Sequence, residues 1–362
     1  MEHHLKRYIR RIGDIRFTIF LLVKLFFLIL FATFAQVDRG IFIANQIYFT
    51  SWFIWLSYIP IFMGGYTIGL LLVINLLASH ATRFRLKRSY IGIFLIHFGL
   101  VLLIIGAGLT SFFGHEMQMS ISEGTSKNYL EFPSQFEVVI IDTSDPDHDR
   151  LFSFQLDALR QGIQFNGIQL TVSELFPNAI INQRGIDSLK YNQLGRSFKL
   201  ISMPKTYKMS ERNIPGLELT LQSESTTDYM ILWGGSAIYQ DFMIQGRSYM
   251  IKLRPKRVYL DFSISLLDFS RDTYEQSETP KAFMSKVQLM TSDGIVPFDI
   301  KMNEPLRFSG YTFFQSSFAD DETTSVFQVV KNPSWLIPYF SSLLIVAGLF
   351  VQMVFSMGRR SS

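Results

Sequence analysis

Ile91-Gly-Ile-Phe-Leu-Ile-His-Phe-Gly-Leu-Val-Leu-Leu-Ile-Ile-Gly-Ala-Gly108 (IGIFLIHFGLVLLIIGAG) is apolar or glycine at every position except His97. With its flanks the run covers 89–113, long enough to cross ~30 Å of hydrocarbon as a helix. At 100° per residue Gly92, Gly99 and Gly106 share one stripe, a smooth face on which another helix can pack closely. His97 points almost the opposite way, with Ile93, Val101, Ile104 and Gly108. An imidazole at that depth needs a reason, because ionisable groups in a bilayer are costly and mark pathways, relays or cofactors. Two readings stand side by side: a hydrogen bond inside the bundle, or a neutral imidazole serving as axial ligand to haem iron. Continuing the same periodicity puts His115 on the His97 face, at the rim of a groove.

Working outward, three more windows are long and apolar enough to span: 18–37, 54–78 and 334–356. The chain of 362 residues is 48% hydrophobic with 35 Phe, and the excess gathers at its two ends. Residues 1–113 are therefore read as an N-terminal region with three spans, 114–333 as a soluble-type domain, and 334–362 as a closing span with a short basic tail. The first apolar window is too long for a signal-peptide core and is read as retained. Lys24 sits early in it. An ammonium there either snorkels to the near face or pairs with an anionic group such as a haem propionate.

Charge gives the orientation. Residues 114–333 hold 21 Lys/Arg against 27 Asp/Glu, and the remainder 13 against 3, so the net +4 conceals an acidic middle and basic flanks. Lys6, Arg7, Arg10, Arg11 and Arg16, then Arg83, Arg85, Lys87 and Arg88, then Arg359 and Arg360, all fall on one side of the four spans. By the positive-inside rule that side is the cytoplasm. The reading is thus a multi-pass protein of a bacterial plasma (inner) membrane, with both termini cytoplasmic and 114–333 extracytoplasmic. Nucleic-acid binding has no support in this pattern. The absence of cysteine excludes disulfides, thiolate metal sites and cysteine nucleophiles.

Within 114–333, short β-rich runs at 136–141, 163–172, 217–221, 229–233, 248–253, 258–267, 284–291 and 311–315 are separated by Asn166-Gly167, Gly234-Gly235 and Asp293-Gly294. They predict an antiparallel β-rich domain, sandwich-like or barrel-like. The stretch 176–215 reads as a long loop or an insertion. Asp142-Thr-Ser-Asp-Pro-Asp-His-Asp149 lacks the glycine and closing glutamate of a calcium loop and reads as a solvated turn. No GxSxG, HExxH or Gly-rich phosphate loop occurs, so no catalytic residue is assigned.

Three spans, a large β-rich domain and a closing span are the layout of the ResB (also CcsB) family of cytochrome c biogenesis proteins. Local segments carry the resemblance: the HFG of the third span running on to Met119-Ser-Ile-Ser-Glu-Gly124, then Tyr259 to Phe269, Pro280 to Val287, and Lys301-Met-Asn-Glu-Pro-Leu-Arg-Phe-Ser-Gly-Tyr-Thr-Phe-Phe-Gln-Ser-Ser317 (KMNEPLRFSGYTFFQSS). The last looks like the family's MN-x-PL-x-x-x-GY-x-F-x-QSS signature.

The resemblance implies a subunit of the System II cytochrome c synthase, binding haem b as a transported substrate and passing it across the membrane to apocytochrome c. The family associates the third-span histidine with haem, a role that maps onto His97, with His115 as a further candidate and Lys24 for the propionates. The implied partners are a CcsA-type membrane protein with a WWD segment, apocytochrome c, haem and membrane lipid. This chain has no WWD segment of its own, so it would be an accessory subunit of a haem lyase. The alternative is a scaffold that binds no haem and docks apocytochrome c or the partner through its β domain.

Overall fold

The computed structural model describes residues 2–83, 87–145, 147–186, 188–206, 213–223, 226–273, 280–319 and 323–360. Arg85 and Pro146, both used in the sequence reading, lie outside them. The chain divides into two compact units, residues 1–115 with 331–362 and residues 116–206 with 210–330. In chain order the elements begin α1 (Glu2–Ile12), α2 (Ile15–Ala44), β1 (Phe53–Leu56), β2 (Ile59–Met63), α3 (Gly65–Arg83), α4 (Ile91–Phe113), β3 (His115–Ser122), β4 (Ser126–Asp142) and β5 (Arg150–Gln155). They continue α5 (Leu156–Gln161), β6 (Ile163–Phe165), β7 (Ile168–Phe176), β8 (Ala179–Gln183), α6 (Leu194–Ser197), β9 (Phe198–Ser202), β10 (Gly216–Gln222), β11 (Thr227–Trp233) and β12 (Gln240–Ile244). The last are β13 (Arg247–Thr273), β14 (Pro280–Thr291), β15 (Gly294–Lys301), β16 (Leu306–Phe308), β17 (Tyr311–Phe318), β18 (Thr324–Lys331) and α7 (Ile337–Arg360).

Four helices are long and apolar enough to cross a membrane, at Ile15–Phe49, Gly65–Thr82, Ile91–Phe113 and Ile337–Met357, and they fit a multi-pass membrane protein. Asp14 caps α2, its carboxylate accepting from the Arg16 backbone N–H at 2.9 Å. At Gly40 the backbone turns to φ 74, a conformation glycine adopts freely, and Ile47, Tyr48 and Phe49 beyond it pack on Leu28, Ile54 and Ile68.

The window 54–78 is not one helix. Its first part forms the β1–β2 hairpin around Ser57, at φ 55. Pro60 has no N–H to give a helix, and Gly64-Gly65 approach Ser51 and Phe49 too closely to admit a side chain. The helix starts at Gly65 and runs on to Arg83, which carries His80 into it.

The glycine stripe of α4 is filled by α7. A Cβ at Gly92 would lie 2.6 Å from the Gln352 backbone nitrogen, and one at Gly99 would lie 2.7 Å from Ile345 Cγ1 and 2.9 Å from the Ser341 carbonyl. Gly348 answers from α7, where a Cβ would meet the Gly92 carbonyl at 2.8 Å. Rising residue numbers on one helix meet falling numbers on the other, so the pair is antiparallel. At its end Thr110 Oγ1 and Ser334 Oγ share a hydrogen bond of 2.8 Å, and Asn332 Nδ2 donates to Thr110 at 3.1 Å.

In the other unit β13 and β4 pair antiparallel over most of their length and serve two cores. Leu130 with Leu260, Phe262 and Ile264 belongs to one, and Val138 and Ile140 with Tyr249, Ile251 and Leu253 to the other. The first core lies in a ten-stranded antiparallel sheet ordered β15-β14-β13-β4-β3-β18-β17-β16, with β5 and β12 attached. Strands β14 and β15 return against β17, so the sheet curls toward a barrel. Buried Ser285, Gln315 and Ser325 link β14, β17 and β18 by hydrogen bonds of 2.6–2.9 Å. The second core is covered by the four-stranded sheet β11-β10-β7-β6, whose β6–β7 turn places Asn166 and Gly167 at φ 45 and 86, the primed-turn conformation that Asn-Gly favours.

The stretch 176–215 is not simply loop. It contains the β8–β9 pair and the short α6, and residues 207–212 lie outside the described ones. Where β4 and β13 pass between cores, the Arg254 guanidinium donates to Glu137 Oε1 through Nε and Nη2, both at 3.0 Å, with the side chains 4% and 8% exposed. Nearby, burial lowers the pKa of Lys127, Glu131 acting against the shift and Arg257 adding to it.

Two outcomes follow for stability, each read by thermal unfolding in detergent. Gly99→Ala destabilises by about 1–3 kcal/mol through overpacking, while Gly108→Ala, whose Cβ would enter open space, does not. Arg254→Met leaves Glu137 buried without its cation and costs about 3–5 kcal/mol, whereas Lys286→Met, from a half-exposed pair with Asp268, costs about 1 kcal/mol or less.

Candidate functional site

Helices α3 and α4 run antiparallel in a register fixed at one end by Tyr66. Its hydroxyl hydrogen-bonds Ser111 Oγ at 2.6 Å, and its ring stacks on Phe112 with centroids 4.8 Å apart. Gly69 allows Ile104 to approach, since a Cβ there would sit 3.5 Å from Ile104 Cγ2. Carried along the pair, this register brings His80 of α3 to His97 of α4, with ring centroids 5.0 Å apart and planes inclined by 42°. Phe94 stacks on the His80 ring at 5.8 Å, and Phe98 on Phe94 at 6.0 Å, so one face of α4 walls the imidazoles with aromatic rings.

His97 is half-buried. Its Nδ1 is buried and makes no hydrogen bond among the described residues, and the same holds for Gln352 Oε1 on α7. A buried polar atom without a partner loses the hydrogen bonds water gave it, and a ligand that accepts its lone pair restores one. Helix α4 therefore works on two sides: its glycines seat it on α7, and His97 meets His80 of α3. No group of three or more His, Cys, Asp or Glu that could hold a metal occurs among the described residues.

The other two candidates lie elsewhere. Helix α4 ends at Phe113, and Gly114 is extended at φ −74, ψ 134. His115 thus opens strand β3, exposed, and the helical periodicity that put it on the His97 face stops before it. Lys24 places its ammonium 4.7 Å from the Phe62 ring centroid and 5.6 Å from that of Phe20, a cation–π setting. The structure brings neither residue to the imidazole pair. The residue that the sequence reading missed is His80. The apolar window of the second span ended at 78, and one further turn of helix would have included it.

Residues 240–326 match the ResB-like family. The chain is also 27% identical over 285 residues to Protein NrfI of Wolinella succinogenes, an alignment that takes in 77% of this chain and 29% of that protein. The chain spans less than a third of the length of the curated relative it matches.

The ResB-like match begins with β12 and ends within β18, so it covers much of the curled sheet and none of α4. Its signature residues are structural there. Ser309 and Gly310 turn at φ 49 and 79 between β16 and β17, Tyr311 and Phe313 enter the core at 9% and 0% exposure, and Gln315 belongs to the buried network with Ser285 and Ser325.

Proposed function

We propose that this chain serves cytochrome c biogenesis as a haem-handling subunit, with His97 as the protein ligand to the iron of haem b, its transported substrate. The observation that carries the reading is the half-buried His97 imidazole, one nitrogen without a partner, on an apolar helix and beside a second imidazole. An axial imidazole in an apolar site would fix one coordination position of the iron and tune its reduction potential. The residues fit such a group at one ligand. With metal–nitrogen bonds of about 2.0 Å, two rings on opposite sides of one metal hold their centres about 6 Å apart. The 5.0 Å separation seen here suits one ligand and one neighbour that orients it. The second axial ligand then comes from a CcsA-type partner, which would also bring the WWD segment.

In this reading the basic termini and the connection between α3 and α4 are cytoplasmic, and the β-rich unit faces the other compartment, where apocytochrome c receives the haem. Lacking cysteine, that unit does not reduce the apocytochrome, and its part is docking. A second reading has one observation in its favour. The match to the ResB-like family model lies on the sheet at 240–326, which suits a scaffold whose helices only anchor it.

The test is the reduced-minus-oxidised absorbance spectrum of the chain copurified in mild detergent with its CcsA-type partner. At matched yield the wild type shows a b-type signal, His97→Ala loses it, and added imidazole restores it. His80→Ala keeps the signal. Equal haem in wild type and His97→Ala would remove the ligand role and leave the scaffold.

A further inference from the structure

The corner between α1 and α2 is built with care for a connection of two residues. Helix α1 has Tyr8, Ile9 and Ile12 at helical spacing on one side and Arg7, Arg10 and Arg11 on the other. Its last turn is held by α3: buried Asn75 donates through Nδ2 to the Ile12 carbonyl at 2.6 Å and accepts from Thr18 Oγ1 at 2.8 Å. Gly13 presses on the α3 backbone so closely that a Cβ would lie 2.5 Å from the Ser79 nitrogen. The corner is therefore fixed by packing.

This fixed corner encloses an open recess of about 650 Å³ lined by Arg7, Arg10, Arg11 and Arg16 with Asp14. Its remaining wall is Phe17 and Phe20, whose rings stack at 6.4 Å on the first turns of α2. Four guanidiniums face one carboxylate, and that carboxylate already caps α2. Guanidinium groups bind phosphate oxygens in pairs. The apolar wall continues up α2 through Ile19, Val23 and Phe27, all exposed, which is the surface that acyl chains cover on a spanning helix.

We propose that this recess is a binding site for an anionic phospholipid, its phosphate held by the arginines of the α1–α2 corner and its acyl chains lying along Phe17, Phe20 and the α2 face. Charge complementarity and the continuity from cationic recess to apolar helix select a lipid over a soluble anion. The Tyr8 and Ile12 side chains, exposed on the side of α1 away from the arginines, give α1 the two-faced character of a helix that lies in the interface. The recess lining includes neither histidine, and the proposal stands whether or not haem binds at the imidazole pair.

The test is native mass spectrometry of the full chain purified in mild detergent and incubated with phosphatidylglycerol, with phosphatidylcholine, or with phosphatidylglycerol plus excess inorganic phosphate. Phosphatidylglycerol is retained and phosphatidylcholine is not, and inorganic phosphate does not displace the bound lipid. Removing two charges with Arg10→Gln and Arg11→Gln weakens retention by about 30-fold, at roughly 1 kcal/mol for each basic residue. A matched pair outside the recess, Lys87→Gln and Arg88→Gln, leaves retention unchanged, and circular dichroism confirms that both variants remain helical. Should a variant lose its helicity, Arg10→Lys with Arg11→Lys keeps the charge and retains most of the lipid. Equal retention of the two lipids, equal loss in both charge-removed pairs, or displacement by inorganic phosphate would overturn the proposal.

Discussion

The contact of backbone on backbone between α4 and α7 is the constraint on which the membrane unit depends. In hydrocarbon there is no hydrophobic force to bring two apolar helices together, so close van der Waals packing and a few hydrogen bonds must do it. Glycines at 92, 99 and 106 recur every seven residues, which keeps them on one seam as two helices wind around each other. They meet Ile337, Ser341, Ile345, Gly348 and Gln352. Once that seam is closed, the opposite face of α4 is left for α3, and the Tyr66–Ser111 hydrogen bond sets the register in which His80 and His97 come together.

The β-rich unit solves a different problem. Two long strands, β4 and β13, are shared by two cores, and a break in their pairing between Pro255 and Arg257 lets them bend from one to the other. The Arg254–Glu137 pair is buried near that bend. Desolvation consumes most of the attraction between such buried charges, so the pair adds little net stability, although removing one partner would leave the other buried and uncompensated. The family signature sits in the same unit and is explained by folding: a left-handed turn, two aromatic core residues and a buried glutamine.

Much of this was legible in the residues. The α4 seam could be read because three glycines at heptad spacing have few other uses in an apolar helix, and about half of the strands of the β-rich unit, β4, β6, β7, β10, β11, β13, β14 and β17, could be read from alternation and from turns such as Asn166-Gly167. The β1–β2 hairpin was not, because a continuous apolar run does not distinguish strand from helix by period, and the signals that mattered were Pro60 and Gly64-Gly65. His80 was hidden because the apolar window closed at 78, while the helix runs on through Ser79, His80, Ala81 and Thr82 to Arg83. His115 was misplaced by extending a helical period through Gly114, a residue that ends the helix. Pairing partners across long separations, such as Ser285 with Ser325, leave no local pattern.

The central claim is that His80 and His97 face each other across the α3–α4 interface. Because the chain has no cysteine, it can be tested without background in native membranes with the pair His80→Cys and His97→Cys and a short bis-methanethiosulfonate cross-linker. The account predicts efficient intramolecular cross-linking of this pair and little for His80→Cys with Ser111→Cys, whose positions belong to opposite ends of the interface. Failure of the first pair to react, or equal reaction of both, would contradict it.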